Sequence, residues 1–160
     1  MFCSSDLPTT GSSDKTFFMV EATLPTEIRL DIVTPDRLVA HDAVTEVTIP
    51  GKNGYLGILP GHAPVLTELV PGELVYKSAG KAHLLCVTWG FAEVLGDRVI
   101  VLSETAEHSE EIDVARAEKA RARAEERLKR FDDPQVDMER AREALRRALA
   151  RLETAKTLHG

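Results

Sequence analysis

The chain has 160 residues, 43% of them apolar and 29% charged, with a formal net charge of −6. That length bounds it to one domain, or to one small domain with an appendage, and the balance is that of a soluble globular protein. No apolar run approaches the ~18 residues a membrane-spanning helix needs, so none is expected.

The net charge hides an asymmetry. Residues 1–111 carry 7 Lys and Arg against 16 Asp and Glu, whereas residues 112–160 carry 13 against 10. An acidic first part and a basic second part predict two segments with different partners. Cys3 sits in a polar tail and Cys86 in an apolar run, which argues against a disulfide framework and for a reducing compartment.

In chain order, residues 1–26 are expected to form a disordered extension. Met1 to Lys15 lacks a basic n-region, and Phe17-Phe18-Met19-Val20 is too short for a signal-peptide core. Met19 offers an alternative start. Residues 27–106 then read as short strands. Ile28, Leu30 and Ile32 alternate with polar neighbours, and apolar runs follow around Val44–Ile49, Leu66–Leu69, Leu74–Tyr76, Leu84–Thr88, Phe91–Leu95 and Val99–Leu102. Turn signals separate them at Thr34-Pro35-Asp36, Pro50-Gly51, Pro60-Gly61, Pro71-Gly72, Ala79-Gly80 and Gly96-Asp97. That punctuation predicts a β-sandwich or barrel of short antiparallel strands.

Past Glu111 the period changes. Gly is absent from Ile112 to His159, Pro occurs once at Pro134, and Ala, Arg, Glu and Leu dominate. Ala117, Ala120, Ala124, Leu128 and Phe131 recur at helical spacing, as do Met138, Ala141, Leu145, Ala148, Leu152 and Ala155. Asp132-Asp133-Pro134 breaks the pattern and Asp137 can cap a second helix. Residues 107–160 are therefore expected to form an antiparallel two-helix hairpin, giving an α+β chain with β first and α second. Its alanine-rich seam buries little area, so at roughly 25 cal/mol per Å² the hairpin is expected to be weakly held.

No catalytic arrangement is legible. His41, His62, His83, His108 and His159 share no metal-ligand spacing, and no Ser or Cys lies in a nucleophile motif. Acid pairs such as Glu110-Glu111 and Asp132-Asp133 sit where helix starts favour carboxylates. The glycines at 51, 54 and 57 are not followed by a Lys-Ser/Thr pair or a helical pattern, so a phosphate loop is not expected there. Glycine at that density marks tight turns or close strand approach.

The run Ile32-Val33-Thr34-Pro35, then Gly54-Tyr55-Leu56-Gly57-Ile58-Leu59-Pro60-Gly61-His62-Ala63-Pro64, then Leu66-Thr67 and Pro71-Gly72, resembles the epsilon subunits of bacterial F-type rotary ATP synthases. The likeness continues through Gly90-Phe91-Ala92-Glu93-Val94 and Ala106-Glu107 into the hairpin, over residues 27–158. It implies a non-catalytic central-stalk subunit that couples proton-driven rotation to ATP synthesis and inhibits ATP hydrolysis through its carboxy-terminal helices. The implied partners are the gamma subunit, the polar loops of the membrane c-ring, and the alpha/beta catalytic head. The implied location is peripheral, on the cytoplasmic face of the bacterial inner membrane, with membrane contact only through the complex. By similarity Tyr55 lies near the ring, while His62 is either an interface residue or one that fixes the turn after Pro60-Gly61.

Ile112-Asp113-Val114-Ala115-Arg116-Ala117 resembles the motif by which some of these subunits bind ATP. Carried over residue by residue, Glu107, Asp113, Arg116, Arg123, Arg147 and Arg151 match that site, so ATP is an expected regulatory ligand although no cofactor is required. Guanidinium forks suit phosphate oxygens, and carboxylates can accept from an adenine amine. The same arginines also fit a solvated basic face paired with neighbouring Glu, and Asp113 fits a plain helix cap. Arg140, Arg142, Arg146, Arg147 and Arg151 further suit an acidic segment of the catalytic head. A stand-alone ATP-sensing or helical adapter protein is the competing class. Nucleic acid is not an expected partner, because the chain is acidic and no aromatic platform accompanies the basic helix.

Overall fold

The computed structural model describes residues 26–157. The expected amino-terminal extension, Cys3 and His159 lie outside the described residues, apart from residue 26 itself. Ten strands come first: β1 (Ile28–Val33), β2 (Leu38–Val44), β3 (Glu46–Gly51), β4 (Gly54–Ile58), β5 (His62–Leu69), β6 (Gly72–Ser78), β7 (Lys81–Val87), β8 (Gly90–Gly96), β9 (Arg98–Ser103) and β10 (Ala106–His108). A 3₁₀ turn, Ser109–Glu111, leads into α1 (Val114–Lys129) and α2 (Met138–Thr157).

The strands form one continuous path, β10-β7-β6-β3-β5-β8-β9-β1-β2, with β4 hanging on β3. The path folds back on itself. Thr45 N–H donates to the Lys77 carbonyl at 2.9 Å, Ser78 Oγ donates to the Ala43 carbonyl at 3.1 Å, and Tyr76 OH donates to Asp42 Oδ2 at 3.1 Å. These bonds tie the β2–β3 corner to β6 and nearly close the sandwich. Alternation puts Ile28, Leu30 and Ile32 inside from one wall and Leu74, Leu85, Val94 and Val101 from others, all of them fully buried.

One strand expectation needs correction and another needs completing. The sheet is not wholly antiparallel, since β1 pairs with β9 in parallel from Arg29↔Arg98 to Val33↔Leu102. A parallel pair needs a long crossover, and here most of the sandwich supplies it. The glycine-rich run, expected to mark tight turns or close strand approach, does bring strands together and is itself partly a strand. It contains strand β4, which pairs with β3 from Val47↔Ile58 to Gly51↔Gly54. Lys52-Asn53 form the turn, and Gly54 has φ +120°, a conformation that glycine adopts without a Cβ penalty.

In the hairpin, Asp113 caps α1 by accepting from Arg116 N–H at 2.9 Å. Asp137 does the same for α2, accepting from Arg140 N–H at 2.9 Å. Ala117, Ala124, Ala141, Ala148, Leu152 and Ala155 of the expected seam are buried. Phe131 is not: it lies past the end of α1 and is 72% exposed. α2 lies on β6 and β7, and α1 packs against α2. On the sandwich side of α2, Ala150 and Ala155 cluster with Cys86 of β7 and with Ile112. The sheet also runs further than expected, because β10 reaches His108 and so places Glu107 on a strand.

Asp31 on β1 accepts from His41 on β2 and from Arg98 on β9, with Arg98 Nη2 to Oδ2 at 2.9 Å. The His41 hydrogen bond, then that of Arg98, hold its carboxyl below the ordinary 3.8. A lowered carboxylate stabilises the fold above the ordinary range, and that stability is lost as pH falls through the lowered value. Both basic partners are well exposed, so the contribution is at most about 1 kcal/mol. Asp31→Asn is expected to flatten the loss of thermal stability below about pH 4, measured by melting the variant and the parent from pH 5 down to pH 2.

Candidate functional site

A cavity of about 360 Å³ opens where β10, the 3₁₀ turn, α1 and α2 meet. Its lining is Glu107, Glu111, Asp113, Arg116, Arg123 and Arg151, over a floor of Ala117, Ala120 and Ala148. Three carboxylates and three guanidiniums thus face one space, contributed jointly by the strand, the turn and both helices. Alanine on this face is what leaves the space open. A Leu at 117, 120 or 148 would fill it.

The six charged groups are unequally engaged. Arg151 forms a two-pronged pair with Glu107, Nη2 to Oε1 at 2.7 Å and Nε to Oε2 at 3.0 Å. This hydrogen-bonded carboxylate raises the Arg151 pKa against the opposing effect of burial. Glu111 is anchored twice, accepting from His108 N–H at 3.3 Å and from Arg37 Nη2 at 3.0 Å. Those bonds, His108 first, hold its carboxyl below the usual range. Arg116 and Arg123, seven residues apart on one face of α1, make no ion pair among the described residues. The cavity therefore presents two unengaged guanidiniums beside a fixed carboxylate–guanidinium fork, an arrangement suited to a polyanion.

Of the six residues singled out for ATP, Glu107, Asp113, Arg116, Arg123 and Arg151 surround this cavity. Arg147 does not. Its guanidinium carbon lies 5.0 Å from the ring centroid of Trp89, the residue just before β8. Residue 147 is four positions before Arg151 and is turned along the sandwich side of α2, so spacing alone placed it one turn too far from the opening. Glu111 was missed because nothing in its spacing separates it from a helix-start carboxylate.

Tyr55 and Leu59 stand out from the β4 end of the sandwich, 64% and 60% exposed. His62 is half-buried. Its N–H donates to the Leu59 carbonyl at 3.0 Å and its Nδ1 lies 2.7 Å from the Ala63 carbonyl oxygen, so it holds the turn. On the outer face of β5, β8 and β9, Leu66, Phe91 and Leu102 are exposed by 69%, 52% and 52%. Phe91 and Leu102 are direct cross-strand neighbours, and both line an apolar hollow of about 540 Å³ with Val33, Pro35 and Trp89. Sequence did carry this signal: Phe91-Ala92-Glu93-Val94-Leu95 has apolar residues on both faces of one strand, with Ala92 and Val94 filling the inner one. Among the described residues no group of His, Cys, Asp and Glu is arranged to hold a metal ion, and no helix is long and apolar enough to cross a membrane.

Residues 27–109 match the family described as the beta-sandwich domain of the ATP synthase Delta/Epsilon chain. Residues 110–156 match its long alpha-helix domain. An ATP synthase epsilon chain from Koribacter versatilis is 60% identical over 98 residues, which is 61% of this chain and 69% of that one. The epsilon chain of Nitratidesulfovibrio vulgaris is 50% identical over 125 residues, covering 78% of this chain and 92% of the relative. In fold, all of this chain superposes on 97% of a chain in the OSCP/F1/c-ring assembly of the Euglena gracilis mitochondrial ATP synthase. The TM-score is 0.73 at 24% identity.

Proposed function

The chain belongs to the ATP synthase delta/epsilon family, with bacterial epsilon chains as its relatives, and from that membership we propose how it works. It is a non-catalytic, central-stalk subunit of the rotary complex. The exposed apolar face of β5, β8 and β9 supports docking of the sandwich to the gamma subunit, because a monomer seldom leaves adjacent Phe and Leu side chains open to water. The Tyr55 and Leu59 end is the part that meets the polar loops of the membrane c-ring. The subunit works at the cytoplasmic face of the bacterial membrane and touches lipid only through the complex.

The hairpin is the regulatory part. Docked, it leaves rotation free; lifted, its basic α2 extends toward the acidic surface of the alpha/beta head and stops ATP hydrolysis. The observation that carries this reading is the charged cavity, whose walls come from β10, α1 and α2 together. A ligand held by all three binds only the docked state and shifts the population toward it. ATP fits the charge: its phosphates suit Arg116, Arg123 and Arg151, and its amine suits a carboxylate. Nothing in the cavity favours the competing reading of a stand-alone sensor over this one.

Removing residues 112–160 from the assembled synthase tests the proposal. Assembly and ATP synthesis are expected to persist while ATP hydrolysis rises above that of the parent complex. A complex that no longer assembles would overturn the assignment of a purely regulatory role to the hairpin.

A further inference from the structure

α2 rests on the sandwich through one stripe, read every three or four residues. Arg147 lies over Trp89, Ala150 packs with Cys86 and Ile112, Arg151 grips Glu107, and Thr154 is fully buried. Two of these contacts involve charge. Only the Arg151 pair belongs to the charged cavity, so the Arg147 contact does something else. We propose that Trp89 is the positioning residue for the docked hairpin, a fixed indole plate on which the Arg147 guanidinium latches α2 without nucleotide. This rests on the two-state reading of the hairpin, not on ATP binding.

The plate is rigid because its backbone is clamped. Thr88, next to it and fully buried, donates its N–H to Ser103 Oγ at 3.1 Å. Its own Oγ1 accepts from Thr105 N–H at 3.0 Å. The Trp89 carbonyl accepts from Glu104 N–H at 2.9 Å. Three bonds to the strand β9 and its exit therefore hold residues 88 and 89 in place before α2 arrives. Trp89 is half-buried, between the apolar hollow on one side and a second recess lined by Pro71 and Arg146 on the other. The Arg147 guanidinium lies over the ring itself, its carbon 5.0 Å from the indole centroid.

Arg147, for its part, has no carboxylate within ion-pair distance among the described residues, unlike Arg142, Arg146 and Arg151 around it. A guanidinium without a counterion on a partly dehydrated helix face is attracted to the negative face of an indole, and Trp is the strongest of the aromatic rings in this respect. The attraction is short-ranged, so lifting α2 breaks it at once. The chain therefore carries two separate holds on the hairpin: a nucleotide-sensitive one at Glu107–Arg151, and a nucleotide-independent one at Trp89–Arg147.

Cys86 offers the readout. It lies under α2 and is 1% exposed, and burial pushes its thiol up to about 11. A thiol reagent therefore reaches it only when the hairpin lifts. In the full-length chain with Cys3→Ser, labelling of Cys86 is followed without ATP. Arg147→Ala is expected to speed it about three- to tenfold, as expected for loss of one partly desolvated cation–π contact. Trp89→Ala should do the same, and the double variant should label no faster than the faster single one. Arg147→Lys should fall between parent and alanine, and Arg142→Ala should match the parent. Trp89→Ala alone can loosen the sandwich, so the surface change Arg147→Ala decides the matter. An unchanged rate in Arg147→Ala, or a double variant whose effect is the product of the two singles, would overturn the latch. Because ATP is absent, failure here is distinct from failure of the hairpin-deletion test in the assembled synthase.

Discussion

Arg116→Ala combined with Arg123→Ala is expected to weaken ATP binding to the isolated full-length chain by about 10²- to 10⁴-fold, each lost charge-assisted hydrogen bond contributing about 1.5–3 kcal/mol. The two residues are chosen for what they lack. Neither is engaged in an ion pair among the described residues, and both line the cavity from α1. A phosphate could therefore take them without breaking an internal contact, which is not true of Arg151 in its fork with Glu107. Calorimetric titration measures the effect directly. Both side chains are exposed, so the melting temperature of the unliganded protein should barely change, which separates loss of binding from loss of fold. Arg147→Ala should weaken ATP less than the pair does, because Arg147 faces Trp89 and not the cavity. No heat from the parent at millimolar ATP would sink the nucleotide proposal and leave these arginines as surface charge and partner contacts. Saturating ATP at a hundredfold its dissociation constant would add about 2.7 kcal/mol to the docked state. That exceeds what a single cation–π latch can supply, so nucleotide would dominate the balance wherever it is abundant.

The order of elements was legible because each half of the chain obeys one period. Ile28, Leu30 and Ile32 alternate and are all buried; Ala141, Ala148, Leu152 and Ala155 follow the helical repeat and are buried too. Where two rules competed, the reading was less complete. Gly54 to Ile58 read as tight turns or close strand approach because glycine is dense there, and only the bonding of the segment to β3 along its length decides between them. Phe131 continued an apolar spacing that the helix itself did not, since α1 ends at Lys129. The parallel pairing of β1 with β9 is set by the curl of the whole sheet, which no local pattern encodes. At the cavity, residue types and spacing on one helix were readable: Arg116 and Arg123 do share a face. The rotation of α2 relative to the sandwich was not readable, and that rotation decides that Arg151 meets Glu107 while Arg147 meets Trp89. Trp89 itself gave no periodic signal, being a single aromatic at a strand junction.

Gly90→Ala is expected to cost the sandwich more than about 4 kcal/mol, a severe loss for a domain whose whole stability is of the order of 5–15 kcal/mol. The reason is contact rather than backbone flexibility. A Cβ built at Gly90 would lie 1.9 Å from the Leu102 carbonyl oxygen and 2.8 Å from Ser103 Cα. Both are backbone atoms of β9 and cannot rotate away, so β8 and β9 would have to separate. Gly90 pairs with Ser103, whose hydroxyl accepts from Thr88 N–H, so the clamp beneath Trp89 would open in the same movement. Phe91 and Leu102, the core of the proposed gamma-docking face, would lose their register together. The variant should therefore fail in denaturant unfolding first, with a lower midpoint, and then in assembly. Gly57→Ala provides the comparison, because a Cβ there meets nothing within 4 Å and should change stability by less than about 1 kcal/mol. Equal midpoints for the two variants would mean that β8 and β9 tolerate separation. In that case the close approach at Gly90 would not be what holds the docking face and the indole plate in one piece.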